Sequence, residues 1–170
     1  MLRPLALALL VFAVAGCDTG DAEAQRLFED EALLSPVEGI TRVEADGTVG
    51  SRDANDWRIG PAFRNRVSLL ALPAPNPLRR GQALSFPVDT QGVPGGLRLL
   101  VLERDPLTGN LDFEPLRDFG ADQPGASQPG FYTFSVSANQ PAFASTGLYR
   151  LLMFDGSNQI VTYGDVEIRP

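Results

Sequence analysis

The sequence predicts a mainly β protein: an antiparallel β-sandwich of about seven strands, preceded by a short helix and a small hairpin. Three observations carry this expectation. The 17 glycines and 14 prolines fall as punctuation between short apolar runs, which favours strands and turns over long helices. Between residues 66 and 170 seven such runs follow one another: RVSLLAL, QALSFPV, GLRLLVLER, LDFEPL, FYTFSVSA, GLYRLLMF and QIVTYGDVEI. In FYTFSVSA, finally, Phe131, Thr133, Ser135 and Ser137 alternate with Tyr132, Phe134, Val136 and Ala138, the period of a half-buried strand.

The chain begins with the anatomy of an export signal. Arg3 and the terminal amine give a positive start, and an unbroken apolar run extends from Leu5 to Ala15. That run is about eleven residues, well short of the roughly 20 that a helix needs to cross a bilayer core. It ends in Val14-Ala15-Gly16-Cys17, which resembles the bacterial lipobox: a branched apolar residue, two small residues and then a cysteine. The resemblance implies that residues 1–16 are a lipoprotein signal peptide. It also implies that the Cys17 thiol accepts a diacylglyceryl group before cleavage, and that the new amine takes palmitate-like acylation. Two or three acyl chains, at about 0.8 kcal/mol per buried CH₂, anchor firmly where one is marginal. The alternative is ordinary secretory cleavage after Ala13-Val14-Ala15, which leaves Cys17 a free thiol. Because Cys17 is the only cysteine, no disulfide within the chain is possible, and a lone exposed thiol is a liability in an oxidising compartment. The expected address is the cell envelope, with the membrane as a partner through lipid on Cys17. Asp18 resembles an inner-membrane retention signal of enteric bacteria, but other groups follow other rules, and the outer membrane is the preferred expectation.

Residues 17–65 read as a lipid-anchored leader. DAEAQRLFEDEALL places Leu27, Phe28 and Leu34 at helical spacing before Ser35-Pro36 stops the pattern, giving a short amphipathic helix that is either a lid or a spacer. In ITRVEADGTVGSRD apolar positions flank Asp46-Gly47, a dipeptide suited to the positive φ angles of a hairpin turn. DANDWRIGPAF carries the only tryptophan, Trp57, within acidic and Gly-Pro punctuation that specifies no element.

The connections within 66–170 agree with the strands. Pro73-Ala74-Pro75-Asn76-Pro77 separates the first pair, Thr108-Gly109-Asn110 turns a hairpin, and Asp155-Gly156-Ser157-Asn158 turns the last. Seven strands in about a hundred residues fit an immunoglobulin-like sandwich, with an open barrel as the rival. Gly147-Leu148-Tyr149 resembles the start of strand F in Ig-like domains, which implies that the Tyr149 hydroxyl bonds back to the preceding corner and that Leu151 stands where antibody domains keep a cysteine. Pro75-Asn76-Pro77 together with Gly147-Leu148-Tyr149-Arg150 resembles the Ig-like modules of flagellar hook-capping proteins and of C-terminal sorting domains in Bacteroidota-type exported proteins. The tail Asp165 to Pro170 lacks the basic residues of the sorting type, so this resemblance implies fold and not cargo function.

Composition narrows the chemistry. All 14 basic residues are arginine, and the chain has neither lysine nor histidine. Without histidine there is no Ser-His-Asp or Cys-His apparatus, and without lysine no Schiff base or Ser-Lys dyad. A net charge of −7 with no basic stripe argues against nucleic acid as a partner. Carboxylates remain: Asp105, Asp112, Glu114 and Asp118 cluster around a turn, where a solvated hairpin rim is expected before a glycosidase pair. Asp53, Asn55 and Asp56, or Asp105, Asn110 and Asp112, offer oxygen ligands for calcium without matching an EF-hand, and turn formation accounts for them first. Trp57 and Arg58, near Phe63, Arg64 and Arg66, are the candidate ligand contacts, for a glycan or an envelope protein; packing of the leader onto the sandwich is the competing role. The reading as a whole is a non-enzymatic, lipid-anchored interaction or structural module without a cofactor, with a carbohydrate- or ligand-binding surface lipoprotein as the alternative.

Overall fold

A computed structural model describes residues 19–34, 39–104, 108–118 and 126–170. Helix α1 spans Thr19–Leu34, followed by the hairpin strands β1 (Arg42–Val43) and β2 (Val49–Ser51) and a single 3₁₀ turn at Pro61–Phe63. Strands β3 (Val67–Leu69), β4 (Leu78–Arg79), β5 (Ala83–Gln91), β6 (Leu97–Arg104), β7 (Leu111–Asp118), β8 (Pro129–Ser137), β9 (Gly147–Asp155) and β10 (Ile160–Arg169) form the sandwich. One sheet has the order β3-β5-β8 and the other β4-β10-β9-β6-β7, an Ig-like arrangement.

All seven apolar runs of the sequence are strands, and the hairpin turns where Asp46-Gly47 requires: Gly47 has φ +86° and the Asp46 carboxylate accepts the Thr48 N–H at 2.9 Å. The sandwich nevertheless holds more than seven strands, since β4 adds one and the hairpin brings the strands named among the described residues to ten. Strand β4 pairs parallel to the end of β10, Leu78 against Ile168 and Arg79 against Arg169, so the larger sheet is mixed rather than purely antiparallel. Two residues after Pro77 are too few to carry a period, and their partner lies at the far end of the sequence.

The main core fills the space between the sheets, with Leu84, Phe86 and Val88 of β5 and Phe134 and Val136 of β8 facing Leu97, Leu99 and Val101 of β6 and Leu151 and Met153 of β9. Leu151, at the antibody cysteine position, is fully buried. The tyrosine corner forms: the Tyr149 hydroxyl donates to the Ser145 carbonyl at 2.9 Å and accepts the Ser145 N–H at 3.1 Å.

A second, smaller core lies on the outer face of the five-stranded sheet, where Phe28 and Ala32 of α1 cover Leu152, Ile160 and Tyr163. The helix docks through Phe28, one of the positions its apolar spacing singles out, but not through Leu27. Leu27 is 55% exposed, whereas polar Gln25 turns inward because the backbone at the start of β10 needs partners: Gln25 Nε2 donates to the Ile160 carbonyl at 2.8 Å and Glu29 accepts the Ile160 N–H at 3.1 Å. Helix and strand thereby satisfy each other.

Residues 39–65, set apart as leader by composition, pack into the same body as the strands. Trp57 and Phe63 belong to the main core, and residues 57–60 run along the free edge of β10, where the Trp57 N–H donates to the Tyr163 carbonyl at 2.6 Å and the Gly60 N–H to the Val161 carbonyl at 2.8 Å. Strand β10 is consequently covered on both faces and both edges, and its residues Ile160 to Val166 are all buried.

Candidate functional site

The polar side chains that the fold buries gather where α1, residues 41–58 and the middle of β10 meet. Arg150 on β9 and Asp165 on β10 stand opposite each other in register and form a two-pronged ion pair, Nε to Oδ1 and Nη2 to Oδ2, both at 2.8 Å. Arg150 also donates to the Ala32 carbonyl at the end of α1, at 3.1 Å, and its guanidinium lies 5.2 Å from the centre of the Tyr163 ring. The last turn of a helix leaves carbonyls without partners, so this contact fixes α1 by the end that needs a cation. Asp165, Asn76 and Asp56 tie in the remaining strands: Asn76 donates to the Thr41 and Asp165 carbonyls, each at 2.9 Å, and accepts the Glu167 N–H at 3.1 Å. The Asp56 carboxylate accepts the Thr41 N–H at 2.6 Å and the Asp165 N–H at 2.9 Å.

Burial controls the proton affinities here. It pushes the Asp56 carboxyl up to about 6, against the pull of its two N–H donors. Burial also raises Asp165, with the Arg150 fork pulling the other way. Desolvation works against the Arg150 charge, yet Asp165 outweighs it and keeps the guanidinium more basic than usual. Tyr163 is likewise raised by burial. The arrangement binds protein to protein: every carboxylate and guanidinium named is occupied by a neighbour.

The sequence-derived candidates separate. Trp57, with φ +63°, lies 5% exposed with its ring edge-on to Phe86 at 4.9 Å and over Gly164, where a side-chain carbon would collide with the indole. Its ring therefore packs mainly into the core, while what remains accessible of it borders a groove of about 360 Å³ shared with Arg52, Ile59, Ser68 and Leu69. Arg58 is at the surface, but its guanidinium donates to Glu31 at 2.8 Å and to the Tyr163 hydroxyl at 3.1 Å, and sits 5.6 Å from the Phe28 ring. It thus clips α1 to the sheet beside a groove of about 300 Å³ lined by Leu27, Phe28, Glu31, Arg58, Pro61 and Arg64. A further groove, about 390 Å³ and more apolar, lies on the outer face of the five-stranded sheet between Arg98, Leu100, Phe113, Phe154 and Asn158.

Cys17 lies outside the described residues, as does Asp105. Asp112 and Glu114 lie two apart on β7 at the margin of the sheet. Asp56, a candidate calcium ligand, spends both carboxylate oxygens on backbone donors, and Asp53 accepts the Asn55 N–H at 2.8 Å in a turn. Among the described residues no three histidine, cysteine or acidic side chains converge as a metal site. The Arg150–Asp165 pair escaped the sequence reading, although each residue interrupts an apolar strand, a signal that two buried charges face each other.

No protein-family model matches the chain, and no curated protein matches it. Among solved structures it is similar to an immunoglobulin-like protein from Pseudomonas aeruginosa, at 14% identity and TM-score 0.33, over 78% of this chain and 94% of that one. It is also similar to part of the alkylpurine DNA glycosylase AlkC of Pseudomonas fluorescens, at 16% identity and TM-score 0.36, over 62% of this chain and 31% of that one. A β-glucosidase from Listeria innocua matches at 18% identity and TM-score 0.36, over 60% of this chain and 15% of the enzyme. The chain thus spans less than a third of either enzyme, and nothing of their activities transfers to it.

Proposed function

We propose that this chain is a lipid-anchored, non-enzymatic module of the bacterial cell envelope that acts through contacts with other envelope macromolecules, with the outer membrane as its preferred address. One observation carries the reading: Val14-Ala15-Gly16-Cys17 closes an apolar run too short to span a bilayer, and its cysteine is the only one in the chain. The fold is compatible with it. Helix α1 starts at Thr19, two positions after Cys17, and is tied to β10, so an anchor there would hold the sandwich close to the bilayer surface with little intervening chain. The finer likeness to hook-capping and sorting-type Ig modules enters as a likeness of build alone. Intact mass spectrometry of the chain extracted from membranes tests the anchor. A chain starting at Cys17 and carrying acyl chains is expected, whereas an unmodified chain starting at Gly16 would overturn the reading. Affinity capture from crosslinked, detergent-solubilised envelopes tests the interaction role, which a solitary species under all conditions would refute.

A further inference from the structure

The net charge of −7 is unevenly spread along the chain. Between Asp56 and Asp89 there is no acidic residue, yet Arg58, Arg64, Arg66, Arg79 and Arg80 all fall in that stretch. The fold gathers the first three of these with Arg52. The groove of about 300 Å³ beside α1 and the groove of about 360 Å³ at Trp57 share Ile59, and a smaller one of about 110 Å³ meets the first at Arg64 and the other at Ser68. Arg52, Arg58, Arg64 and Arg66 line these adjoining grooves, and all four are exposed.

Two carboxylates line the same grooves. Glu31 is held by Arg58, and Asp89 borders the smallest groove. Among the described residues Arg52, Arg64 and Arg66 form no ion pair, whereas Arg26, Arg42, Arg150 and Arg169 are each matched by a carboxylate. On α1, Glu23 and Asp30, one turn either side of Leu27, are both engaged by Arg26. Apolar side chains stand beside the unmatched guanidinium groups: Leu27, in the first groove, is 55% exposed, and Leu70, between the Leu69 and Ala71 that line the groove at Trp57, is 54% exposed. Unmatched cations beside protruding leucines make a surface suited to the boundary between lipid headgroups and acyl chains.

We infer that this face lies on an anionic phospholipid bilayer, with Arg52, Arg64 and Arg66 taking headgroup phosphates and Leu27 and Leu70 entering the boundary. A guanidinium suits the task because its planar fork bonds two phosphate oxygens at once. Chain length selects a bilayer over a soluble anion, through the lipid anchor at Cys17 on which the inference rests. Helix α1 starts two positions after Cys17, and its Ala24 lines the first groove. At about 3.5 Å per extended residue and 1.5 Å per helical one, at most about 15 Å separates the backbone of Cys17 from that of Ala24. An anchored chain therefore holds these arginines about two Debye lengths or less from the headgroups, where local charge counts for more than the distant net charge.

The test uses the full chain, extracted from membranes and reconstituted into vesicles of phosphatidylcholine alone or mixed with phosphatidylglycerol. An environment-sensitive fluorophore is attached to Ser68→Cys on β3, within the face, or to Ser135→Cys on β8, at the opposite edge of the same sheet. With phosphatidylglycerol present, the label at 68 is expected to shift blue and to be shielded from iodide, while the label at 135 stays open to water. High salt should reverse the shift. Arg64→Gln combined with Arg66→Gln is expected to weaken docking about 30-fold, at about fivefold or 1 kcal/mol for each arginine. Leu70→Glu, which puts a carboxylate on the face, should weaken it as well, and both variants should keep the parent's circular dichroism. A chain that floats with both vesicles but gives the same emission at 68 in each, a shift that survives both variants, or equal shielding at 135 would overturn this face alone. A chain that floats with neither vesicle denies the anchor, and the inference falls with it.

Discussion

Asp56 makes the fold sensitive to pH in a direction opposite to the usual carboxylate. Its folded-state value of about 6 lies above the ordinary 3.8, so folding favours the protonated form. The stabilisation from this group is complete below pH ~4 and is lost as pH rises through about 6. A rise from 3.8 to about 6, at roughly 1.4 kcal/mol per pH unit, corresponds to about 3 kcal/mol. Asp56 is 3% exposed, so solvent screening takes little from that figure, and about 3 kcal/mol is a large share of a typical domain's stability of roughly 5–15 kcal/mol. Asp56→Asn removes the titration but keeps the shape. Its amide nitrogen then faces one of the two backbone N–H groups, a cost of about 1–3 kcal/mol that does not vary with pH. Asp165 and Arg150, the charges that act at this position, are present in both proteins. Urea unfolding followed by Trp57 fluorescence, at intervals from pH 4 to 7, measures the difference between parent and variant. The parent's advantage should shrink by about 3 kcal/mol across that range. A constant difference, or a parent that gains on the variant as pH rises, would refute the reasoning.

Three further outcomes are expected. Arg150→Met leaves Asp165 buried without its cation and should cost about 3–5 kcal/mol in thermal unfolding, while adding Asp165→Leu should recover much of the loss. Phe28→Ala empties the centre of the smaller core and should cost about 3 kcal/mol, with limited proteolysis now cutting within 20–34. Gly164→Ala drives a methyl group into the Trp57 ring and should cost about 1–3 kcal/mol, accompanied by a change in tryptophan fluorescence that Gly109→Ala, with open space around it, does not produce.

What the sequence made legible followed from local rules. The strands of 66–170 were readable because a period of two and the turn residues between runs act within a few positions of each other. The Tyr149 corner was readable because both of its partners lie within Ser145 to Tyr149. Elements whose reason lies far along the chain were not. Strand β4 exists because Ile168 and Arg169 pair with it, and Trp57 is in the core because Gly164 leaves room for an indole, facts that nothing around DANDWRIG announces. On α1 the period picks out Phe28 but misses Gln25, which is turned inward by the Ile160 backbone, and a hydrophobic period has no term for that. Of the two candidate contacts, Arg58 is at the surface and Trp57 is not, since a tryptophan among polar letters reads equally as platform or as core.

The coverage of β10 has a bearing on how the chain acquires its structure. The contacts that dock α1 join residues more than a hundred positions apart, Gln25 to Ile160 and Ala32 to Arg150. Loop closure over such separations is entropically costly and slow, so the helix has no surface to settle on until the last strand has been delivered. In a chain emerging from its N-terminus, α1 therefore docks only in a late step. Helix α1 and the last strand become one cooperative unit, and a lesion in either should release both.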